Sequence, residues 1–505
     1  MTTELYRSTL DLPNPGLEWS HALLAVTGGV CIGLAVSVVP EGGRVGAIAA
    51  VVGVALIVLL GLWWQRRNEL LISTLALSFI FSGLRQDIGL IYIEPWMIVV
   101  VICFLNWPMR LLQGERPSIH FDKVGFFALF VVVSAWLSVF GAVDLATGLK
   151  RAMKILLLFG VYLYLVHQLR HERQFLAFIR ASFLACALTV GMLIIQRLRD
   201  LATGQTFEMM QWAGAPGTFA NASEGATYIA IFLVIAVSLY SLRIHERVMS
   251  HRLFILFACL FVLGLILAMS RTGLLAAAGV TALLFVRNKR LRPVLVFGVV
   301  AVAAALTLPV TRFWFNRILG TLGLSGDPEF DLFIQAELVD RVYLWSVYWE
   351  VIKAYPVFGI GAANYGFFEK LRLDWPATPE GTMRDLTGIQ FVASSHNGFL
   401  SWWVEAGTVG IVAFVGSLVC AAVMLRGLLR SRSLSAWQRA LGLGTYGGLW
   451  VFVLTNLAGE FGVSELRYWM LLAFASVVLH QAKESGPLEA NRRLRERRER
   501  ERSEE

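Results

Sequence analysis

Apolar runs close to the length of a membrane span recur along almost the whole chain. A helix needs roughly 20 mostly apolar residues to cross a bilayer. The chain is 57% hydrophobic and only 16% charged, whereas an average soluble domain is roughly 25% charged. The sequence therefore predicts an all-α, polytopic integral membrane protein.

The hydropathy pattern predicts about 14 transmembrane helices. The loops on the side of the N-terminus hold more Lys and Arg than the connections on the other side, as in the run from Arg287 to Arg292. By the positive-inside rule, both termini are expected in the cytoplasm. The predicted spans are 21–39, 45–64, 69–83, 92–112, 124–141, 149–169, 175–196, 226–243, 253–269, 272–286, 293–309, 398–425, 438–457 and 464–480.

Four regions follow from this topology. They are a cytoplasmic N-terminus (1–20), an N-terminal transmembrane region (21–200), a second transmembrane region (201–480) with a long outer loop (310–397), and a charged cytoplasmic tail (481–505). The start lacks a basic stretch leading directly into an apolar one, so no removable signal peptide is expected.

Several kinds of chemistry receive no sequence support. The five cysteines all fall inside apolar runs without a close pair, which indicates neither a disulfide framework nor a zinc site. A phosphate loop with a Gly-Lys-Ser or Gly-Lys-Thr end is missing from the sequence, so ATP hydrolysis is not expected. No cofactor and no nucleic-acid partner are expected.

The long outer loop contains a stretch with helical periodicity. Its apolar residues recur three or four positions apart, and the pattern stops before Pro356. This spacing predicts an amphipathic helix at the outer mouth of the protein. The predicted apolar face consists of Leu338, Val342, Trp345, Trp349 and Ile352.

Three residues on the outer side are candidates for chemistry. Arg271 occupies a very short turn between two apolar runs, Arg341 lies on the amphipathic helix, and His396 is the one histidine in the long outer loops. Each also has a simpler explanation alone: snorkelling or capping for Arg271, pairing with Glu337 for Arg341, and structural hydrogen bonding for His396. Together, two arginines can hold a diphosphate and a histidine can accept a hydroxyl proton.

The segment SHNGFLSWWVEAGTVG resembles the H-[NSQ]-x9-G-x-x-G signature of the bacterial O-antigen ligase and polymerase superfamily. The matching residues are His396, Asn397, Gly407 and Gly410. The order of MSRTG, DRVYLW, YPVFGIGAANYG and the histidine motif is also similar to that family, as is PGTFANASEGATYIA from Pro216. The resemblance covers roughly residues 205–475.

The resemblance implies a GT-C-like membrane glycosyltransferase of the bacterial inner membrane, with its active site at the periplasmic face. The donor would be a glycan on undecaprenyl diphosphate, and the acceptor lipid A core or a lipid-linked glycan. The family's two functional arginines map onto Arg271 and Arg341, and its histidine onto His396. An inverting, metal-independent reaction is expected, since the arginines supply the charge that neutralises the diphosphate.

Weaker candidates surround these three residues. Lys150, Arg151 and Lys154 lie at the outer start of one predicted span and are candidates to extend the phosphate site, with membrane anchoring as the alternative. Asn397 is a candidate to orient His396. Gly407 and Gly410 are expected to allow close helix packing.

A lipid-linked oligosaccharide flippase or another transporter is the alternative class, because it would share the many spans and the basic outer residues. A transporter should carry charges deep in several spans along a path. The sequence leaves open the choice among ligase, polymerase and protein glycosylation.

Overall fold

The computed structural model describes residues 68–81, 86–88, 91–112, 121–204, 217–219, 221–287, 326, 328–371, 373, 395–431, 434–459 and 462–484. These residues are almost entirely helical. The departure from the all-helical prediction is a short antiparallel hairpin, in which Gln86–Ile88 (β1) pairs with Ile91–Ile93 (β2). The predicted spans 21–39, 45–64 and 293–309 lie outside the described residues.

Thirteen helices are named here in chain order. They are α1 (Asn68–Ser78), α2 (Pro95–Leu112), α3 (Lys123–Ser138), α4 (Leu145–Gln168), α5 (Glu172–Ala202), α6 (Ala222–Ser241), α7 (His245–Val248), α8 (His251–Ala268), α9 (Arg271–Arg287), α10 (Pro328–Ala354), α11 (Gly398–Leu429), α12 (Ala436–Asn456) and α13 (466–484).

Five of these helical segments are long and apolar enough to cross a membrane: Lys123–Gly141, Glu172–Ala202, Ala222–Ser241, His251–Ala268 and Gly398–Leu429. Each coincides with a predicted span. The chain therefore belongs to the class of helical membrane proteins, as predicted. The number of 14 spans stays a prediction.

Polar residues start several helices by capping them. The side chains of Asp122, Asp144 and Asn221 accept the backbone N–H groups of Gly125, Thr147 and Glu224, respectively. The first N–H groups of a helix have no partner within the helix, so such caps set where each helix begins. The bond from Thr147 also lowers the pKa of the Asp144 carboxyl group.

Helix α6 lies at the centre of the bundle and is the most completely buried of the five apolar segments. It packs against α8, α9 and α12. A Cβ on Gly447 of α12 would lie 2.5 Å from the Val234 side chain of α6, so glycine is needed for this approach. Small residues at such positions let membrane helices pack backbone to backbone.

Two contacts relate the starts of four helices to one another. Lys154, near the start of α4, contacts Glu94, which precedes α2. Arg467, near the start of α13, donates to the carbonyl of Glu224 in the first turn of α6. All four residues also line one cavity. The starts of α2, α4, α6 and α13 therefore lie at one end of the bundle, called here the charged end.

Candidate active site

The turn that carries Arg271 is built by its two preceding residues. Met269 adopts a left-handed conformation (φ 53°) and ends α8. Ser270 then caps α9, because its carbonyl accepts the N–H of Leu274 and its hydroxyl accepts the N–H of Gly273. Arg271 is thereby fixed in the first turn of α9. A cation is electrostatically disfavoured at a helix N-terminus, which argues against a merely stabilising role for it.

Arg271 lies at the charged end. Ser270 is 3.4 Å from the hydroxyl of Ser223 in the first turn of α6. A Cβ on Gly273 would lie 2.8 Å from Ala226, so α9 approaches α6 closely at its start. The turn MSRTG thus places the half-buried side chain of Arg271 beside the start of α6.

His396 is held in a strained conformation just before α11. Its φ is 50°, and its side chain is exposed. Non-glycine residues in this region cost about 1–3 kcal/mol and cluster at functional sites. Buried Ser395 fixes this position, since its hydroxyl bonds to the backbone N–H and carbonyl of Asn397 and to the Ser401 hydroxyl at 2.7 Å.

Asn397 serves as the cap of α11. Its side-chain oxygen accepts the backbone N–H groups of Phe399 and Leu400, both at 3.1 Å. The carboxamide oxygen is thus engaged by the helix, and a direct role for Asn397 in substrate binding stays a prediction.

We expect Asn397→Ala to lower the free energy of unfolding by about 1 kcal/mol, because the two N–H groups would lose their acceptor. Asn397→Asp keeps a capping oxygen and should be nearly neutral. Thermal unfolding of both variants in detergent measures the difference. Equal stability of the alanine and aspartate variants would contradict the capping role.

Helix α11 is interrupted at Gly407, which has φ 64° and ψ −166°. Residues 356–361, called here the docking loop, fill the interruption. The carbonyls of Val404 and Glu405 accept the N–H groups of Ile360 and Gly361, and the N–H of Thr408 donates to the Pro356 carbonyl. The two motifs YPVFGIG and H-N-x9-G-x-x-G therefore form one structural unit.

Gly410, the second glycine of the motif, allows the two parts of α11 to pack closely against each other. A Cβ on Gly410 would lie 2.2 Å from the Ala406 Cβ, and the Trp402 indole donates to the Gly410 carbonyl at 3.0 Å. Close packing is found at both glycines, since a Cβ on Gly407 would lie 2.1 Å from the Val357 carbonyl oxygen. Gly407 is in addition required for its backbone conformation.

Helix α10 ends before Pro356, as predicted. Its predicted apolar stripe is largely not the face that packs on the described part of the protein, since Val342 is 60% exposed and Trp349 is 47% exposed. A helical period shows that an apolar stripe exists but not which of two stripes packs on the protein. The buried face is formed by Leu344, Val347, Tyr348, Val351 and Ile352.

Arg341 lies on a helix that contacts the segment of His396. The Trp345 indole donates to the Ser395 carbonyl at 2.9 Å. Arg341 is one turn earlier on the same face and is half-buried. The structure thus brings together the segments of Arg341 and His396, while Arg271 lies at the charged end on α9.

A cavity of about 190 Å³ opens at the charged end. Arg151 and Lys154 line it, whereas Lys150 is not among its lining residues. Lys154 is 2.7 Å from Glu94, and both side chains are nearly buried. The binding roles of Lys150, Arg151 and Lys154 stay predictions, and much of the Lys154 charge is offset by Glu94.

The acidic residues of this cavity were not predicted from the sequence. Glu94, Glu224 and Glu465 line it together with Arg467. The available signal was a carboxylate at the start of an apolar run, as in IYIEPW, since an acid so close to hydrocarbon needs a partner.

The fold and this site define a helical membrane protein with a cluster of charged side chains around a cavity at one end of the bundle. Residues 253–415 match the family model described as O-antigen ligase. The match includes the positions of Arg271, Arg341 and His396, and it confirms the resemblance to the O-antigen ligase and polymerase superfamily. A comparison with curated proteins found no match.

Proposed function

We propose that the protein transfers a glycan from undecaprenyl diphosphate to an acceptor hydroxyl at the periplasmic face of the bacterial inner membrane. The observation that carries this proposal is the conformation of His396, which is held outward beside α10 in the segment matched by the O-antigen ligase model. The two arginines supply the complementary charge.

The departure of a diphosphate requires charge stabilisation more than a proton donor, because a diphosphate is already a good leaving group. In the proposed reaction, Arg271 and Arg341 bind its oxygens as the anomeric C–O bond breaks. These cations make a metal unnecessary in the proposal.

His396 accepts the proton of the acceptor hydroxyl as that oxygen attacks the anomeric carbon. Attack opposite the leaving diphosphate inverts the anomeric configuration. The site lies near the membrane boundary because the donor's polyprenyl chain stays in lipid while its glycan is in water.

Two activities within this proposal, ligase and polymerase, differ in the acceptor of the glycan. Deletion of the gene followed by a lipopolysaccharide gel tests them. Bare lipid A core with polymer retained on undecaprenyl diphosphate indicates a ligase, and core bearing one repeat unit indicates a polymerase. Unchanged lipopolysaccharide with loss of an exopolysaccharide indicates a polymerase of that polymer. If the protein were a flippase, its deletion would instead leave the lipid-linked glycan on the cytoplasmic side of the membrane.

Arg271→Ala is expected to lower transfer at least about 100-fold, because removal of one preorganised charge partner at a reacting centre typically has that effect. Arg271→Lys should recover part of the loss, since lysine keeps the charge but not the two-pronged geometry. Transfer is measured in membranes with a lipid-diphosphate glycan donor. Full activity of the alanine variant would reject the diphosphate role.

A further inference from the structure

The cavity at the charged end has a balanced lining that suits an uncharged ligand. Its charged lining residues are Glu94, Glu224, Glu465, Arg151, Lys154 and Arg467. Three carboxylates offset three cations, so a diphosphate would meet repulsion as well as attraction here. The cavity is therefore a poor second phosphate site.

The ion pairs in the cavity place hydrogen-bond acceptors beside donors. The Glu94 carboxylate accepts from Lys154 Nζ at 2.7 Å and from the Trp96 indole at 2.5 Å. A carboxylate has about four lone-pair positions, so further hydroxyl donors can bind the same oxygens. Glu465 and Arg467 form a second such pair. Neighbouring hydroxyls on a sugar ring each donate and accept, and they match this arrangement.

Aromatic rings supply the apolar part of the lining. Phe79, Trp96, Phe219 and Tyr228 all border the cavity. Their side chains are nearly or fully buried, so their positions are fixed by packing. A ligand site that combines apolar ring faces with a few fixed polar groups is typical of small-molecule recognition.

The cavity is linked to the segment of His396. Arg151 and Ser464 line both this cavity and a smaller one of about 30 Å³, which Ser401 and Glu405 also line. Ser401 is hydrogen-bonded to Ser395, the residue before His396. The two cavities are therefore neighbours, and a residue that lines the smaller one contacts the segment of the candidate base.

We propose that the cavity is a sugar subsite, in which one neutral pyranose ring of the transferred or accepting glycan binds through its hydroxyls. The pairs Glu94–Lys154 and Glu465–Arg467 contact those hydroxyls, and the aromatic lining contacts the apolar face of the ring. This subsite rests on the proposed glycan transfer and adds to it a ligand class: neutral hexoses, deoxyhexoses or N-acetylhexosamines.

The test uses the full-length protein in nanodiscs and methyl glycosides of these three sugar classes, with binding detected by saturation-transfer NMR. Wild-type protein should give a signal with at least one glycoside. The variant Glu94→Gln with Lys154→Gln should weaken that binding about tenfold or more, because charged hydrogen bonds are lost. The matched control is Glu172→Gln with Arg247→Gln, which removes an exposed ion pair at the other end and should bind as wild type.

If the double variant fails to fold, Phe219→Leu serves as a second variant. It removes an aromatic ring from the cavity lining and leaves the ion pairs intact. A several-fold loss of glycoside binding is expected for it. Absence of binding to wild type, or undiminished binding to the folded cavity variants, would overturn the sugar subsite.

The sugar subsite and the proposed function fail in different ways. Arg271→Ala should abolish transfer but keep the glycoside signal of wild type, because it removes a diphosphate contact only. Absence of transfer by the wild-type protein would reject the proposed function, while its glycoside signal would still report the subsite. Full transfer by Arg271→Ala would reject only the diphosphate contact of Arg271.

Discussion

Replacing His396 with glycine is expected to remove nearly all transfer and to leave the protein at least as stable as wild type. The substitution deletes the imidazole, and loss of a general base typically lowers the rate by about 10²- to 10⁴-fold. Glycine adopts the φ of 50° at this position without strain. Glycan transfer in membranes and thermal unfolding of the purified protein measure the two effects.

His396→Ala is the matched control for this experiment. It should lose as much activity as the glycine variant, but it keeps a Cβ in the left-handed region and should be less stable than that variant by about 1 kcal/mol. Wild-type transfer by the glycine variant would reject His396 as the base. A large loss of stability in both variants would assign His396 a structural role.

Gly407→Ala is expected to disrupt the site although the residue bears no chemistry. Its φ of 64° with ψ of −166° is available almost only to glycine. A Cβ would also lie 2.1 Å from the Val357 carbonyl oxygen, and backbone atoms cannot move aside cheaply. We expect a loss of more than about 3 kcal/mol in unfolding free energy, or displacement of the docking loop with loss of transfer.

Gly427→Ala is the control for Gly407→Ala. Gly427 lies in the same helix, and a Cβ there would contact nothing within 4 Å. Because alanine favours a helix over glycine by up to about 1 kcal/mol, this variant should be neutral or slightly stabilised. Thermal unfolding and limited proteolysis at the docking loop compare the two variants. Equal behaviour would mean that the interruption of α11 is not required.

The membrane class and most helix positions could be predicted from the sequence, because burial in lipid demands long apolar helices. The interruption of α11 could not, since the run 398–425 is predominantly apolar and nothing local separates a required glycine from a packing one. Only the docking loop, far away in the sequence, distinguishes them by supplying Pro356, Ile360 and Gly361 as hydrogen-bond partners.

The candidate site was predictable where a residue type was unusual for its place. Arg271 in a short turn and His396 before a span meet this criterion, and Asn397 also fits the ordinary rules for capping. The partner of Lys154 was not predictable, because Glu94 lies 60 positions earlier. The buried face of α10 was not predicted for the same reason, since packing across the fold selects between its two apolar stripes.

The interruption at Gly407 also bears on how this protein is made. Residues 408–429 are by themselves long enough to cross a bilayer, so this part of α11 can insert without the part that carries the histidine motif. The free carbonyls and N–H groups at the interruption obtain partners only when the docking loop, synthesised earlier, folds onto them. Completion of the site therefore requires docking after α11 has been made, and cells making Gly407→Ala should accumulate an inserted but protease-sensitive chain.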